Sequence, residues 1–346
     1  MKKLINQFRE DFLDALLNLL WTQWTSLGIR GYSRKNSVVG VIDPEALLLI
    51  SGSVARYDAR LFDAVLEWLS INGRFVNVTR FNRMLTRDGF VGKHVLTAMM
   101  DAAFTSEHKA KWQRLNRQPP NSESDSEEML FFHKTGQPIP VLHDPDTSFI
   151  KYGLIRDKFQ KRNIANVFSP DRTENLLLRL RALLGLNARS ETVLYLLLNR
   201  RGSPGAIARD CYYFPATISK GLAEMELSGQ VISRIEGRYR YYEFKSQDIW
   251  RHLFFDTTDT PCWIVWSRLF SALERIFVFL NTSEMTDKTG IELASSLRRI
   301  LKKPVIPMLE NCGLSVHFGN DYELSGEKII PVFIERIQKI LCELGV

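Results

Sequence analysis

The chain has 346 residues, 45% of them hydrophobic and 25% charged, which supplies a sizeable core for roughly two or three domains and excludes general disorder. Its net charge of +7, from 46 basic and 39 acidic residues, tolerates a polyanionic partner without demanding one. Cys211, Cys262, Cys312 and Cys342 stand far apart with no Cys-x-x-Cys pair, which disfavours a zinc site or a disulfide scaffold and fits a reduced compartment.

The opening segment, MKKLINQFREDFLDALLNLLWTQW, starts like an export signal because Lys2 and Lys3 precede apolar residues. Arg9, Glu10, Asp11 and Asp14 then interrupt the apolar run, leaving it too short for export or for a membrane span. Phe8, Phe12, Leu16, Leu19 and Leu20 recur at helical spacing with Trp24 one turn on, so an amphipathic helix is expected, packed on the protein or on a second subunit. The expected location is the cytoplasm, with no membrane association.

Asp43-Pro44 reads as an N-cap followed by proline in the first helical turn, and a second helix is expected from Asp58. Leu61, Phe62, Val65, Leu66, Trp68 and Leu69 make its apolar stripe, which Asn72-Gly73 ends. Between them, Gly52-Ser53-Val54-Ala55-Arg56 resembles the start of a nucleotidyltransferase signature, in which a Gly-Ser turn holds a triphosphate. That chemistry needs paired carboxylates to hold two metal ions. Asp63 stands near the right distance, but two residues on is Val65, which cannot bind a metal. Asp63 also lies in a segment of helical period rather than on a strand. Gly52-Ser53 is therefore read as a polar turn between two core helices, and an enzyme using Ser53 and Asp63 is the alternative. No covalent chemistry, cofactor or metal is expected.

The helical amino-terminal region, residues 1–115, ends at NRQPPNSESDSEEM, which is rich in proline, serine and acidic residues and has almost nothing apolar to bury. A flexible linker is expected over residues 116–135. An irregular connecting segment follows over 136–172, and His133 and His143 are placed in loops rather than on metal. From Thr173 the pattern turns helical, with Leu176, Leu177, Leu180, Leu183 and Leu184 forming a stripe up to Gly185.

Residues 189–244, within a domain expected over 173–250, carry the clearest signal. Val193, Leu194, Leu197 and Leu198 mark one helix; Ser203-Pro204 opens a short second one, with Ile207 and Ala208 facing inward. A third starts at Pro215 and stops at Ser228-Gly229, with Ile218, Leu222 and Met225 on one face. Thr217, Ser219 and Lys220 are left on other faces near its amino-terminal end, where side chains can meet major-groove edges and phosphates. Glu224 and Glu226 on the same helix would repel phosphate if turned toward it. Two β-rich segments joined across Glu236-Gly237 follow, carrying Arg234, Arg238 and Arg240.

This order of helix, short helix, turn, helix and two-stranded ribbon resembles a winged helix-turn-helix domain, as in MarR-like and related bacterial transcription regulators. The parts that carry the likeness are GAIARD, ATISKGLAEMELSGQV and the basic ribbon. The resemblance implies that the segment from Pro215 to Ser228 enters the major groove while Arg234, Arg238 and Arg240 touch the backbone. Winged helices also serve as protein-interaction modules, which is a further alternative. Tyr239, Tyr241 and Tyr242 are read as half-buried strand faces rather than as stacking platforms for bases.

In residues 262–280, Trp263, Trp266, Phe270, Leu273, Phe277 and Leu280 form a broad apolar stripe, read as a core or subunit-facing helix rather than a ligand pocket. IELASSLRRILKK and EKIIPVFIERIQKILCEL are two more amphipathic helices of a carboxy-terminal region, 251–346, expected to contribute to dimerisation. The expected protein is mainly α-helical: a homodimeric, cytoplasmic regulator that binds double-stranded DNA sequence-specifically. Two-fold symmetry would set its recognition helices one DNA turn, roughly 34 Å, apart.

Overall fold

Helix α1 (Lys2–Ser26) turns its apolar residues to one side, and Phe8, Phe12, Leu16, Leu20 and Trp24 are all buried. The computed structural model describes residues 2–31, 38–103, 112, 127–255, 261–282, 290–314, 318 and 323–346. Among these the chain is mainly helical, with two small sheets.

Asp43 caps α2 (Pro44–Val54), its carboxylate accepting from the backbone N–H groups of Glu45 and Ala46. Every residue of α2 is buried, which places it at the centre of the core, and its polar Glu45, Ser51 and Ser53 are each hydrogen-bonded there. Gly52 and Ser53 lie in the last turn of this helix, which corrects their reading as a turn between helices. Asp58 caps α3 (Ala59–Asn72) by accepting from the Leu61 N–H at 3.0 Å. Next come α4 (Val78–Met84), a π-helical turn over Leu85–Gly89, and α5 (Lys93–Ala103).

Of the expected linker, residues 116–126 lie outside the described residues, but its later part is ordered. Strand β1 (Glu128–Met129) pairs in parallel with β2 (Leu154–Ile155), and the short helix α6 (Thr147–Ile150) lies between them in sequence. Leu130 is buried, and the Phe132 N–H donates to the Arg56 carbonyl at 2.9 Å. The irregular segment that follows is strapped to α3. Arg156 is buried against Asp63 at 2.7 Å, among the rings of Phe62, Phe131, Phe149 and Phe159. Glu67 accepts from the backbone N–H groups of Arg162 and Ile164.

The next elements form a second core. After a 3₁₀ turn come α7 (Leu176–Leu184), α8 (Ala188–Asn199), β3 (Arg201–Gly202), α9 (Pro204–Cys211) and α10 (Pro215–Leu227). Strands β4 (Val231–Glu236) and β5 (Tyr239–Phe244) pair antiparallel, with Val231 opposite Phe244 and Glu236 opposite Tyr239. Strand β3 adds to the far side of β5, giving the order β3-β5-β4. Leu194, Leu197, Ile207, Ile218, Leu222, Val231, Tyr242 and Phe244 fill the space between helices and sheet. Leu183, counted into the apolar stripe of α7, faces solvent instead.

Beyond α11 (Gln247–His252), the chain returns to the first core through α12 (Trp266–Leu280). Helix α12 packs along α2, as do α1, α4 and α5. Helix α13 (Gly290–Ile300), a π-helical turn, α14 (Ile306–Glu310) and α15 (Ile329–Glu343) complete it. Phe8 of α1 meets Phe333 of α15 edge to face, with centroids 5.6 Å apart. The two ends of the chain, read as separate regions, thus share one core. The stripes on α12 and α15 that suggested dimerisation are buried within the chain, because each finds its apolar partner in the amino-terminal helices.

Two arginines join the two cores. Arg181 of α7 bonds Glu45 and Glu191, and Arg80 of α4 bonds Asp43, Glu45 and the Cys211 carbonyl. These charges fix how the unit built on α8–α10 sits on the larger helical body.

Candidate nucleic-acid interface

Helix α10 is placed by its own sequence. Ser203 caps the preceding α9 by accepting from Ala206 N–H. Tyr212 then turns the chain through a left-handed backbone conformation, φ 61°, held by a hydrogen bond from its hydroxyl to Asp88. Phe214 precedes Pro215, whose fixed φ suits the first helical turn. Ile218 and Leu222 point into the second core and are fully buried. Pro215, Thr217, Ser219 and Lys220 are all exposed on the remaining surface.

The acids of α10 are engaged locally. Glu224 pairs with Arg189 of α8, and that hydrogen bond holds its carboxyl below the usual carboxylate range. The Ser233 hydroxyl donates to Glu226 at 2.6 Å. Neither acid is an isolated charge on the exposed face.

On the hairpin, Gly237 takes φ 62° in the turn between β4 and β5, a conformation that glycine adopts without a Cβ penalty. Arg234 is exposed and pairs with Glu243 across the strands at 3.0 Å. Arg201 pairs with Glu236 at 2.6 Å and its guanidinium covers the Tyr241 ring. Arg238 and Arg240 are exposed and neither forms a close ion pair among the described residues, though Arg240 interacts with Tyr242 and, at longer range, with Glu226. Tyr242 is buried and Tyr241 half-buried, as strand faces; Tyr239 is exposed. The structure therefore leaves Pro215, Thr217, Ser219 and Lys220 exposed on several faces near the amino-terminal end of α10, with Arg234, Arg238 and Arg240 exposed on the adjoining ribbon.

Sequence reasoning missed β3, whose two residues are too short for any pattern. It also missed Arg83 and Arg87, which reach the turn before α10 from far along the chain. Arg83 donates to the Tyr212 carbonyl and Arg87 to the Arg209 carbonyl, both at 3.0 Å. No local signal could have found such long-range contacts.

Ser53 and Asp63 are not brought together as a metal centre. The Ser53 hydroxyl donates to the buried Glu274 carboxylate, and Asp63 is held by Arg156. His133 and His143 are exposed in irregular segments. Trp263 packs edge to face on Tyr195, with centroids 5.0 Å apart.

No protein-family model, curated protein or solved structure matches the chain. Among the described residues no helix is long and apolar enough to cross a membrane.

Proposed function

We propose that the unit from α8 to β5 is a winged helix of the MarR-like kind and that it binds double-stranded DNA, making the protein a cytoplasmic transcriptional regulator. The observation that carries this reading is the two-sidedness of α10. Ile218 and Leu222 anchor it, while Thr217, Ser219 and Lys220 stand exposed beside a ribbon that offers Arg238 and Arg240. In this reading Thr217, Ser219 and Lys220 meet base edges and phosphates in the major groove, and Arg234, Arg238 and Arg240 hold the backbone. Arg234 contributes less than the other two, because Glu243 already neutralises it. A homodimer would present two such helices, joined through surfaces other than the buried stripes of α12 and α15.

The test is the double variant Arg238→Glu, Arg240→Glu in a gel-shift titration at several salt concentrations. Affinity for all duplex sequences should fall alike and its salt dependence should flatten. Unchanged affinity removes the ribbon from the interface.

A second reading, a protein-binding module, is favoured by exposed apolar side chains on the same unit: Leu227 is 88% exposed and Ile235 70%. It predicts weak, salt-insensitive DNA binding and a protein partner lost on Leu227→Ser, Ile235→Ser.

A further inference from the structure

Beside the amino-terminal end of α10 lies an open cleft of about 480 Å³ whose walls come from both cores. Arg83, Thr86 and Arg87 from α4 and the turn after it form one side, and Tyr212, Tyr213 and Phe214 the other. The Arg83 guanidinium lies 3.9 Å from the Phe214 ring centroid, and that of Arg87 lies 5.4 Å from the Tyr212 centroid. A ring beneath it restrains a guanidinium by a cation–π attraction and leaves N–H groups for hydrogen bonds. Each arginine gives one N–H to a main-chain carbonyl, leaving donors for a ligand in the cleft that both line. Phe214, 63% exposed, stands at the rim of the cleft, where its ring carries the Arg83 guanidinium.

We infer that this cleft is a second anchor for the duplex, in which Arg83 and Arg87 of the larger helical body clamp backbone phosphates flanking the groove that α10 enters. The inference rests on the DNA-binding reading of α10. Its chemistry follows from three features. Two guanidiniums lining one cleft supply two positive charges and planar N–H forks suited to phosphodiester oxygens. The positive end of the α10 dipole opens at the same place, since Phe214 both lines the cleft and precedes the first turn. Phe214 is also three residues from Thr217, so a backbone passing the end of α10 must pass the cleft. The body that carries Arg83 and Arg87 is locked to the α10 unit by the buried Arg80 and Arg181 bridges, which pre-positions the clamp.

The experiment uses the full chain and a mixed-sequence duplex, titrated across a range of salt concentrations. The double variant Arg83→Gln, Arg87→Gln should bind every duplex about tenfold more weakly, and the slope of log affinity against log salt should shrink by roughly 1.8, two phosphate contacts' worth. Arg87→Lys, which keeps the charge, should retain most of the slope, and thermal unfolding of each variant establishes that it folds. Duplex binding with unchanged affinity and slope in the folded double variant overturns the clamp and leaves the α10 reading standing. If the wild type binds no duplex, both fall together. Titration with adenosine monophosphate separates a small-nucleotide pocket: tight monophosphate binding that is lost in the double variant, with duplex affinity untouched, also overturns the clamp.

Discussion

Arg181 on α7 donates to Glu45 on α2 across 2.7 Å, with neither side chain touching solvent. Its guanidinium also bonds Glu191 and the Phe75 carbonyl, and Arg80 meets Glu45 from the other side. Burial disfavours the Arg181 charge, and its pairing with Glu45 and Glu191 more than offsets that, so the cluster is a joint that depends on its members staying paired.

Replacing Arg181 by methionine leaves Glu191 without its arginine in a dry site and leaves Glu45 with Arg80 as its remaining cation. The unfolding free energy should drop by about 3–5 kcal/mol in urea denaturation. Arg181→Lys should recover only part, because an ammonium cannot bridge two carboxylates with a planar fork. A loss below about 1 kcal/mol would mean that the joint contributes little.

In the last turn of α2, Gly52 is where α5 comes closest. A Cβ on Gly52 would lie 2.6 Å from Leu96 Cγ. In an open helix Gly→Ala gains about 1 kcal/mol, but here the methyl must displace a packed leucine. Gly52→Ala should therefore destabilise by about 1–3 kcal/mol, and adding Leu96→Ala should cost less than the two separate losses combined, because the alanine methyl fills part of the space that the leucine vacates. Thermal unfolding of the two variants decides it; a more stable Gly52→Ala would refute the close approach.

Glu274 sits on α12 with its carboxylate on the Ser53 hydroxyl and the Val91 N–H, and burial pushes it up to about 7 from an ordinary 4.5. Between those values the folded chain holds a proton that the unfolded chain releases, so stability should fall as pH rises from about 4.5 to 7 and stay lower above. The full swing is on the order of 3 kcal/mol. Glu274→Gln should flatten that part of a melting-temperature profile against pH. Parallel profiles for the two proteins would show that the carboxyl titrates normally.

Tyr212 gives its hydroxyl proton to Asp88, which also accepts from Ser267 at 2.5 Å. Burial pushes the phenol upward, so it remains a donor at any ordinary pH. Tyr212→Phe keeps the ring but removes one donor from a buried carboxylate, at an expected cost of about 1–3 kcal/mol in chemical denaturation. A neutral outcome would mean that Ser267 alone satisfies Asp88.

What was legible in the sequence was local. Asp43, Asp58 and Ser203 announce helix starts because capping depends on a side chain and the N–H groups two or three residues on. Pro215 and the Ser228-Gly229 stop bound α10 for similar reasons, and the Ile218–Leu222 spacing shows which side of it is buried. The exposed positions Thr217, Ser219 and Lys220 follow from the same period. Gly52-Ser53 misled because glycine and serine favour turns in isolation, whereas here close packing against α5 requires the glycine inside a helix. The acidic, proline-rich run similarly gave no sign that Glu128-Met129 would find a strand partner in Leu154-Ile155.

By itself, then, the sequence determined where most helices begin and end and which face of each is apolar. Only the tertiary structure decided which faces meet: that α12 and α15 close on the amino-terminal helices instead of on a second subunit, and that Arg83 and Arg87 arrive beside Phe214. The reason is that hydrophobic burial is non-directional, so a period reveals a sticky face without naming its partner. Pairings between distant residues, such as Arg181 with Glu45, depend on the whole chain having collapsed around them.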